Sequence, residues 1–361
     1  APSLVDADGT ESLSNITISG VPNGAVLSAG TDQGSGVWEL TSAQLSGLTI
    51  TPPTNDDSDF TLTVSVTSTE SSNADTATST DTIDVSVIAV ADTPTLSLTN
   101  TASGNEDTAI ALTISPSLVD TDSSESLSVT ISDVPTGAIL SAGTNQGSGV
   151  WLLTAAELSG LTITPASNDD SDFTLTVTAT STEGANSDTA TSASQTIDVS
   201  VIAVADTPSL TLTDTASGNE DTAIALSISA PSLVDSDGSE ILGNILISDV
   251  PSGAVLSAGT DLGSGVWELT SAELSGLTIT PPTHDDSDFT LTVSVSSTEG
   301  SNADTATASD TIDVSVTAVA DAPALVVTNA ASGNEDTAIA LSIAPSLVDA
   351  DGTESLSNIT I

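Results

Sequence analysis

The chain has 361 residues, 50 of them Asp or Glu, with no Lys or Arg, giving a formal net charge of −50. A surface of this sign repels phosphate, which argues against nucleic acid and anionic membrane as partners. It also leaves no basic side chain to neutralise the acids, so no side-chain salt bridge is expected. There is no Cys, which removes disulfides and thiolate sites, so a small secreted domain of this composition needs another staple. No run of 18 apolar residues and no basic-then-apolar leader is present, so secretion and anchoring signals are expected outside this segment.

Strong acidity with few aromatics can mean disorder. Here 37% of residues are apolar, and they fall in regular β patterns. The organisation is repetitive. SGNEDTAIAL begins at Ser103, Ser217 and Ser332, spacings of 114 and 115, and the tryptophans Trp38, Trp151 and Trp267 follow the same period. Residues 1–18 are identical to 344–361. A period this long is a whole sandwich domain rather than a solenoid coil. The expected division is 1–91, a partial repeat lacking its first strands; 92–205 and 206–320, complete repeats; and 321–361, the first part of another.

In chain order, repeat 92–205 predicts strands at 108–114, 126–132, 138–141, 149–153 and 161–164, with a helical turn at 155–158. In the strand at 173–182, Phe173, Leu175 and Val177 alternate with threonines. Ile197, Val199 and Val201 show the same period of two in the last strand. Gly, Asn, Asp and Pro clusters punctuate the rest. Seven or eight short strands of this kind specify an all-β fold of tandem Greek-key, Ig-like or cadherin-like β-sandwiches.

The acids concentrate at strand ends: Glu106, Asp107, Asp120, Asp122, Glu125, Asp169, Asp170, Asp172 and Glu183, then Asp206 in the linker. Two carboxylates about 4 Å apart repel by roughly 1 kcal/mol in water and about 4 kcal/mol near a protein surface. Clusters without basic partners therefore point to a bound cation or to salt screening. Strand direction assigns the acids to poles. If the last two strands are antiparallel, a junction at Asp206 collects Glu106, Asp107, Asp169, Asp170 and Asp172 from one side. Asp235, Asp237 and Glu299 come from the other. Such a ring offers more than the six to eight oxygens that Ca²⁺ takes. The corresponding positions at the other junctions are Asp56, Asp57, Asp59, Asp92, Asp120, Asp122, Glu183, Glu220, Asp221, Asp285, Asp286, Asp288 and Asp321.

The segments VADTP, NEDTAIAL, LVDTDSSESL and DFTLTVTATSTEG resemble the cadherin-like and Ig-like repeats of giant, type I secreted bacterial surface adhesins, including RTX adhesins. The resemblance covers essentially the whole chain. It implies that Glu183 and Glu106 stand at acidic ligand positions of cadherins, Asp169-Asp170 at their acidic pair, and Asp206 and Pro208 in their linker. Ala203 and Ala205 depart from that linker, which usually carries Asp and Asn there. Fewer ions, or weaker ones, are implied for each junction.

Surface acids also serve solubility alone. Asp32 and Asp261 are expected in Asx turns, and Asp84, Asp198 and Asp313 on the solvated face of the last strand. His284, the only histidine, aligns with Asn55 and Asn168 and reads as a turn residue rather than a base. Without Cys or a recurrent His, nucleophile–base pairs cannot be assembled, and the chain is not expected to be an enzyme. The expected function is that of an extracellular, cell-surface extender of a long adhesin or fibre in cell adhesion or biofilm. Neighbouring repeats are its partners, and Ca²⁺ makes it rigid. A self-assembling filament subunit exchanging strands or half-domains, and a glycan-binding repeat, are the alternatives. The scarcity of aromatics weighs against the last.

Overall fold

The computed structural model describes residues 2–5, 9–120, 123–235, 238–349 and 352–361. Two compact units are present, residues 1–167 with 171–201, and residues 168–170 with 202–361. The first holds two β-sandwiches in tandem and the second one sandwich with a further strand pair, and the all-β class read from the sequence is what the strand pairings show.

In the first unit, the larger sheet of residues 92–201 is centred on strand Phe173–Glu183. Glu125–Ser132 pairs with it antiparallel on one side, and Gln195–Ile202 and Thr189–Thr191 pair antiparallel on the other. Val150–Thr154 and Thr144–Gly147 extend the Glu125–Ser132 side. The facing layer holds Ile110–Ala111, Thr162–Thr164 and Ile139–Leu140, with Thr95–Leu98 paired to Ile114–Ser117. Side chains of both layers share one core, where Val129, Ile131, Ile163, Leu175, Val177 and Ala179 are fully buried. Trp151 closes its edge at 9% exposure.

The expected strand at 108–114 is divided, and among the described residues between Thr95 and Ile202 twelve short strands replace the seven or eight anticipated. The reason lies in pairing. Thr95–Leu98 belongs to the smaller layer, and after a turn Thr101–Asn105 joins the end of the larger sheet. An alternation of period two carries no mark where a chain changes its hydrogen-bonding partner. The turn at Ala155–Leu158 is a 3₁₀ helix. A reciprocal cap starts it, in which Glu157 accepts from both the Thr154 amide (2.7 Å) and hydroxyl (2.8 Å).

The second unit repeats this plan. Phe289–Glu299 pairs with Glu240–Ser248 and with Thr305–Thr317, and Thr215–Asn219 lies parallel to the latter. Residues 11–85 of the first unit form a related sheet centred on Phe60–Glu70. Residues 321–361 contribute one strand pair, Ala324–Val327 with Ile343–Ser346.

One glycine recurs in every sandwich against the same backbone carbonyl. Gly149 has φ +74°, and a Cβ there would sit 2.6 Å from the Val134 carbonyl oxygen. Gly36 and Gly265 repeat this against Val21 and Val250. Gly149→Ala is expected to destabilise the sandwich by more than about 1 kcal/mol, because it adds both a left-handed alanine and a steric clash. A urea melt with a midpoint unchanged from the parent would contradict this.

Candidate metal centre

The strand register carries acids into the interior. Along Phe173–Glu183 the inward face reads Leu175, Val177, Ala179, Ser181, Glu183, and all five are buried. The same face in the second unit ends in Ser297 and Glu299, 0% and 1% exposed. The apolar alternation thus continues into a serine and a glutamate at the strand's end.

Each of these glutamates faces another. Glu183 is the cross-strand partner of Glu125, and Glu299 of Glu240. Like charges placed directly opposite destabilise a sheet. Linker backbone covers both pairs. The Asp92 amide donates to Glu125 Oε1 (2.7 Å), while the Ser181 hydroxyl donates to the Asp92 carbonyl (2.6 Å). In the second unit the Asp206 amide donates to Glu240 Oε1 (2.6 Å), and the Ser297 hydroxyl to the Asp206 carbonyl (2.5 Å). Asn186 and Asn302 pin the linkers through the carbonyls of Ala89 and Ala203, each at 2.7 Å. Asp188 and Asp304 accept from the amides of Ala91 and Ala205, each at 3.1 Å. Asn168 donates its amide to the Asp206 carboxylate.

After these bonds, buried carboxylate oxygens remain without a hydrogen-bond partner. They include Glu125 Oε2, Glu183 Oε2, Glu220 Oε2 and Glu240 Oε2, while Glu299 is offered only the Ser239 hydroxyl. Burial pushes the Glu299 carboxyl above its usual range. The charges of Glu240, Asp170 and Asp235 push the same way, against a partial opposing pull from the Ser239 hydroxyl. Glu183 is raised chiefly by burial, opposed by a hydrogen bond from Ser124 and reinforced by Glu125, Asp57 and Asp120. Asp235, Glu240 and Glu299 are all buried and each offers a ligand oxygen, with these atoms within 4.8 Å of one another. Buried anions without donors are what a hard cation would satisfy. The donor set is all oxygen, which suits Ca²⁺ rather than a thiophilic or imidazole-seeking metal.

Residues 11–85 supply a comparison within the chain. There Glu11 opposes Glu70, which is only half-buried. Its oxygens accept from the Thr10 hydroxyl (2.7 Å) and the Ser72 hydroxyl (3.2 Å). Oxygens are left without donors where a linker lies over the pair.

The other sequence-derived candidates fall as follows. Asp57, Asp120 and Glu183 come together in the first unit, and Asp170, Asp235 and Glu299 in the second. Asp169 is half-buried beside Asp170 in the chain. Asp56 and Asp285 each spend one oxygen on a turn, accepting from Ser58 and Ser287 amides at 3.0 Å. Asp59, Asp172 and Asp288 each accept a backbone amide, from Val87, Val201 and Val316, at 2.8 Å. Glu106 is buried and Asp107 exposed. Glu220 Oε1 accepts from the Val319 amide at 2.5 Å, and Asp286 is half-buried. Asp92, Asp206 and Asp321 each donate a backbone amide to a glutamate, Asp321 to Glu354 at 2.5 Å. Asp122 and Asp237 lie outside the described residues.

Glu240 and Glu354 are absent from the candidates that sequence supplied, and Glu125 was counted among the acids without a ligand role. Their signal was present, since Glu11, Glu125, Glu240 and Glu354 recur at spacings of 114, 115 and 114. One further expectation is extended and another needs correction. Asp84, Asp198 and Asp313 are exposed on the polar face as anticipated, and there they also accept from the hydroxyls of Thr61, Thr174 and Thr290 across the sheet, at 2.8, 2.8 and 2.7 Å. Side-chain ion pairs are not wholly missing, because His284 Nδ1 lies 3.1 Å from Asp221 and 2.5 Å from Asp321. Asp32 and Asp261 form the anticipated Asx turns with Gly34 and Gly263, at 2.7 Å.

No family model and no curated protein sequence matches the chain. Among solved structures it is similar to the extracellular cadherin domains 1–5 of protocadherin gamma B2, at 13% identity and a TM-score of 0.31, covering 92% of this chain and 59% of that one. Drosophila N-cadherin EC1–4 is similar at 13% identity and a TM-score of 0.25, covering 95% and 78%. The FN1–FN3 domains of chicken CNTN1 are similar at 9% identity and a TM-score of 0.27, covering 86% and 91%. The chain spans 59% of the length of the protocadherin it matches.

Proposed function

We propose that this chain is a structural extender, a stretch of tandem sandwiches within a long extracellular adhesin or fibre, whose linkers are made rigid by Ca²⁺. The observation that carries the reading is the set of buried glutamate oxygens under the linkers, above all Glu299, which is 1% exposed and to which only the Ser239 hydroxyl is directed. Asp235, Glu240 and Glu299 would hold one ion in the second unit, with Asp170 near enough to add to the field. Glu125, Glu183, Asp120 and Asp57 are the matching set in the first. Bound there, Ca²⁺ supplies positive charge that no side chain of the set provides. The chain's own residues fix the linker: Glu125 and Glu240 hold an aspartate amide, Ser181 and Ser297 its carbonyl, and Asn186 and Asn302 a second carbonyl.

On this reading the repeats bear load and spacing rather than catalysis. A low-Ca²⁺ cytosol would keep the chain loosely joined, and millimolar Ca²⁺ outside would lock it, coupling metal to folding. Surface adhesion or biofilm is the setting in which such an extender serves.

Small-angle scattering tests the mechanical claim. The distribution of intramolecular distances is expected to extend and narrow on adding Ca²⁺ and to broaden again with chelator, while far-ultraviolet circular dichroism keeps its β signature. Identical scattering in both solutions would remove Ca²⁺ from the account.

A further inference from the structure

We propose that Asp221, His284 and Asp321 form a mixed nitrogen–oxygen site for a transition ion of the Zn²⁺ class, chemically distinct from the all-oxygen sets under the linkers. His284 stands where the other repeats carry Asn, and the backbone there is the same: φ is +54° at His284, +55° at Asn168 and +56° at Asn55. The substitution therefore swaps an amide for an imidazole at a fixed position. Asn168 uses its amide on the Asp206 carboxylate. At the matching place His284 directs Nδ1 at Asp321 Oδ2, 2.5 Å away, and also at Asp221 Oδ2, 3.1 Å away. The His284 backbone amide holds the other oxygen of Asp221 at 3.0 Å, which orients that carboxylate before any ion arrives.

One ring nitrogen flanked by two carboxylates carries at most one proton, whereas a metal ion can bond all three atoms at once. The three ligand atoms lie within 4.8 Å of one another. Around a tetrahedral Zn²⁺ with bonds of about 2.0–2.2 Å, ligands stand about 3.3 Å apart, so small side-chain adjustments suffice. The three side chains are 29–35% exposed, leaving a path for the ion and a fourth position for water. Imidazole selects borderline metals, while Ca²⁺ takes oxygen and gains little from it. The competing occupant is a proton, since both aspartates favour imidazolium.

Because His284 is the only histidine, its ring is a single reporter in the full chain. With ¹⁵N label at pH 7.5, Zn²⁺ is expected to move the imidazole Nδ1 resonance and to saturate it at one equivalent, both with and without Ca²⁺. His284→Asn, the residue that the other repeats carry, is expected to lose that one Zn²⁺ equivalent in calorimetry while its Ca²⁺ isotherm stays unchanged. An imidazole spectrum indifferent to several equivalents of Zn²⁺, or a Zn²⁺ isotherm unaltered in His284→Asn, would overturn the site. Neither result bears on the Ca²⁺ sets, whose own isotherm reports on them separately.

Discussion

Chelating Ca²⁺ is expected to lower the melting temperature of the sandwiches by roughly 10 °C. The estimate follows from linkage. Extracellular sites bind Ca²⁺ with dissociation constants of about 10⁻⁴ to 10⁻³ M. At a hundredfold excess over the dissociation constant, an ion that binds only the folded state contributes about 2.7 kcal/mol. In a domain of this size each kcal/mol moves the midpoint by about 4 °C. The structural ground is that Glu125, Glu183, Glu240 and Glu299 keep buried oxygens without donors, so the metal-free state retains uncompensated charge. Scanning calorimetry in about 10 mM Ca²⁺ and in EDTA measures the difference, and superimposable traces would refute it. Mg²⁺ is expected to restore less, because it holds its water and demands tighter octahedral geometry.

Glu299→Gln is expected to change sign with the metal. The folded pKa of Glu299 is raised, by burial first and by its acidic neighbours second. A raised folded pKa means that the folded state binds the proton more tightly than the unfolded chain does. The associated stability is present below the unfolded value, near 4.3, and is lost as pH rises through the folded one. In EDTA at neutral pH the buried carboxylate is therefore a net cost, and the amide should melt higher than the parent. That advantage should shrink as pH falls through the raised folded pKa, where the parent takes up its own proton. In Ca²⁺ the amide removes an ionic ligand and should melt lower, by up to the full linkage term. Glu183→Gln should behave alike, since its shift has the same leading cause. Glu273 is the internal control. Its pKa is lowered by the Thr270 amide and hydroxyl, so its contribution is present above the unfolded value and lost as pH falls through the folded one, with or without Ca²⁺. A Glu299→Gln chain that is destabilised in EDTA would show that the carboxylate is satisfied without metal.

How far the site could be read in advance differs by residue. Acids at strand ends were visible because loops interrupt the alternation, as at Asp169-Asp170 and Asp206. Glu183 was visible as an acid closing a strand, yet its burial is a matter of register. It lies an even number of residues from Leu175, Val177 and Ala179, so the pleat turns it inward. Glu240 escaped notice because a strand's first residue can face either way until its partner is known, and that partner is Glu299. Asp84, Asp198 and Asp313 face solvent as their strand position implies, but the threonine hydroxyl that each accepts lies on the next strand and cannot be seen along one sequence.

Sequence alone determined the repeat, its length near 114 residues, the β class, and a charge balance in which no lysine or arginine neutralises the acids. These depend on local periodicity and composition, which a single chain displays in full. Only the tertiary structure decided which acids oppose one another, which oxygens are left without donors, and that the lone imidazole sits between two carboxylates. Those facts depend on cross-strand register and on linker backbone folding over a sheet's end, and both are set by contacts between residues up to about a hundred positions apart, as Asn302 and Ala203 are.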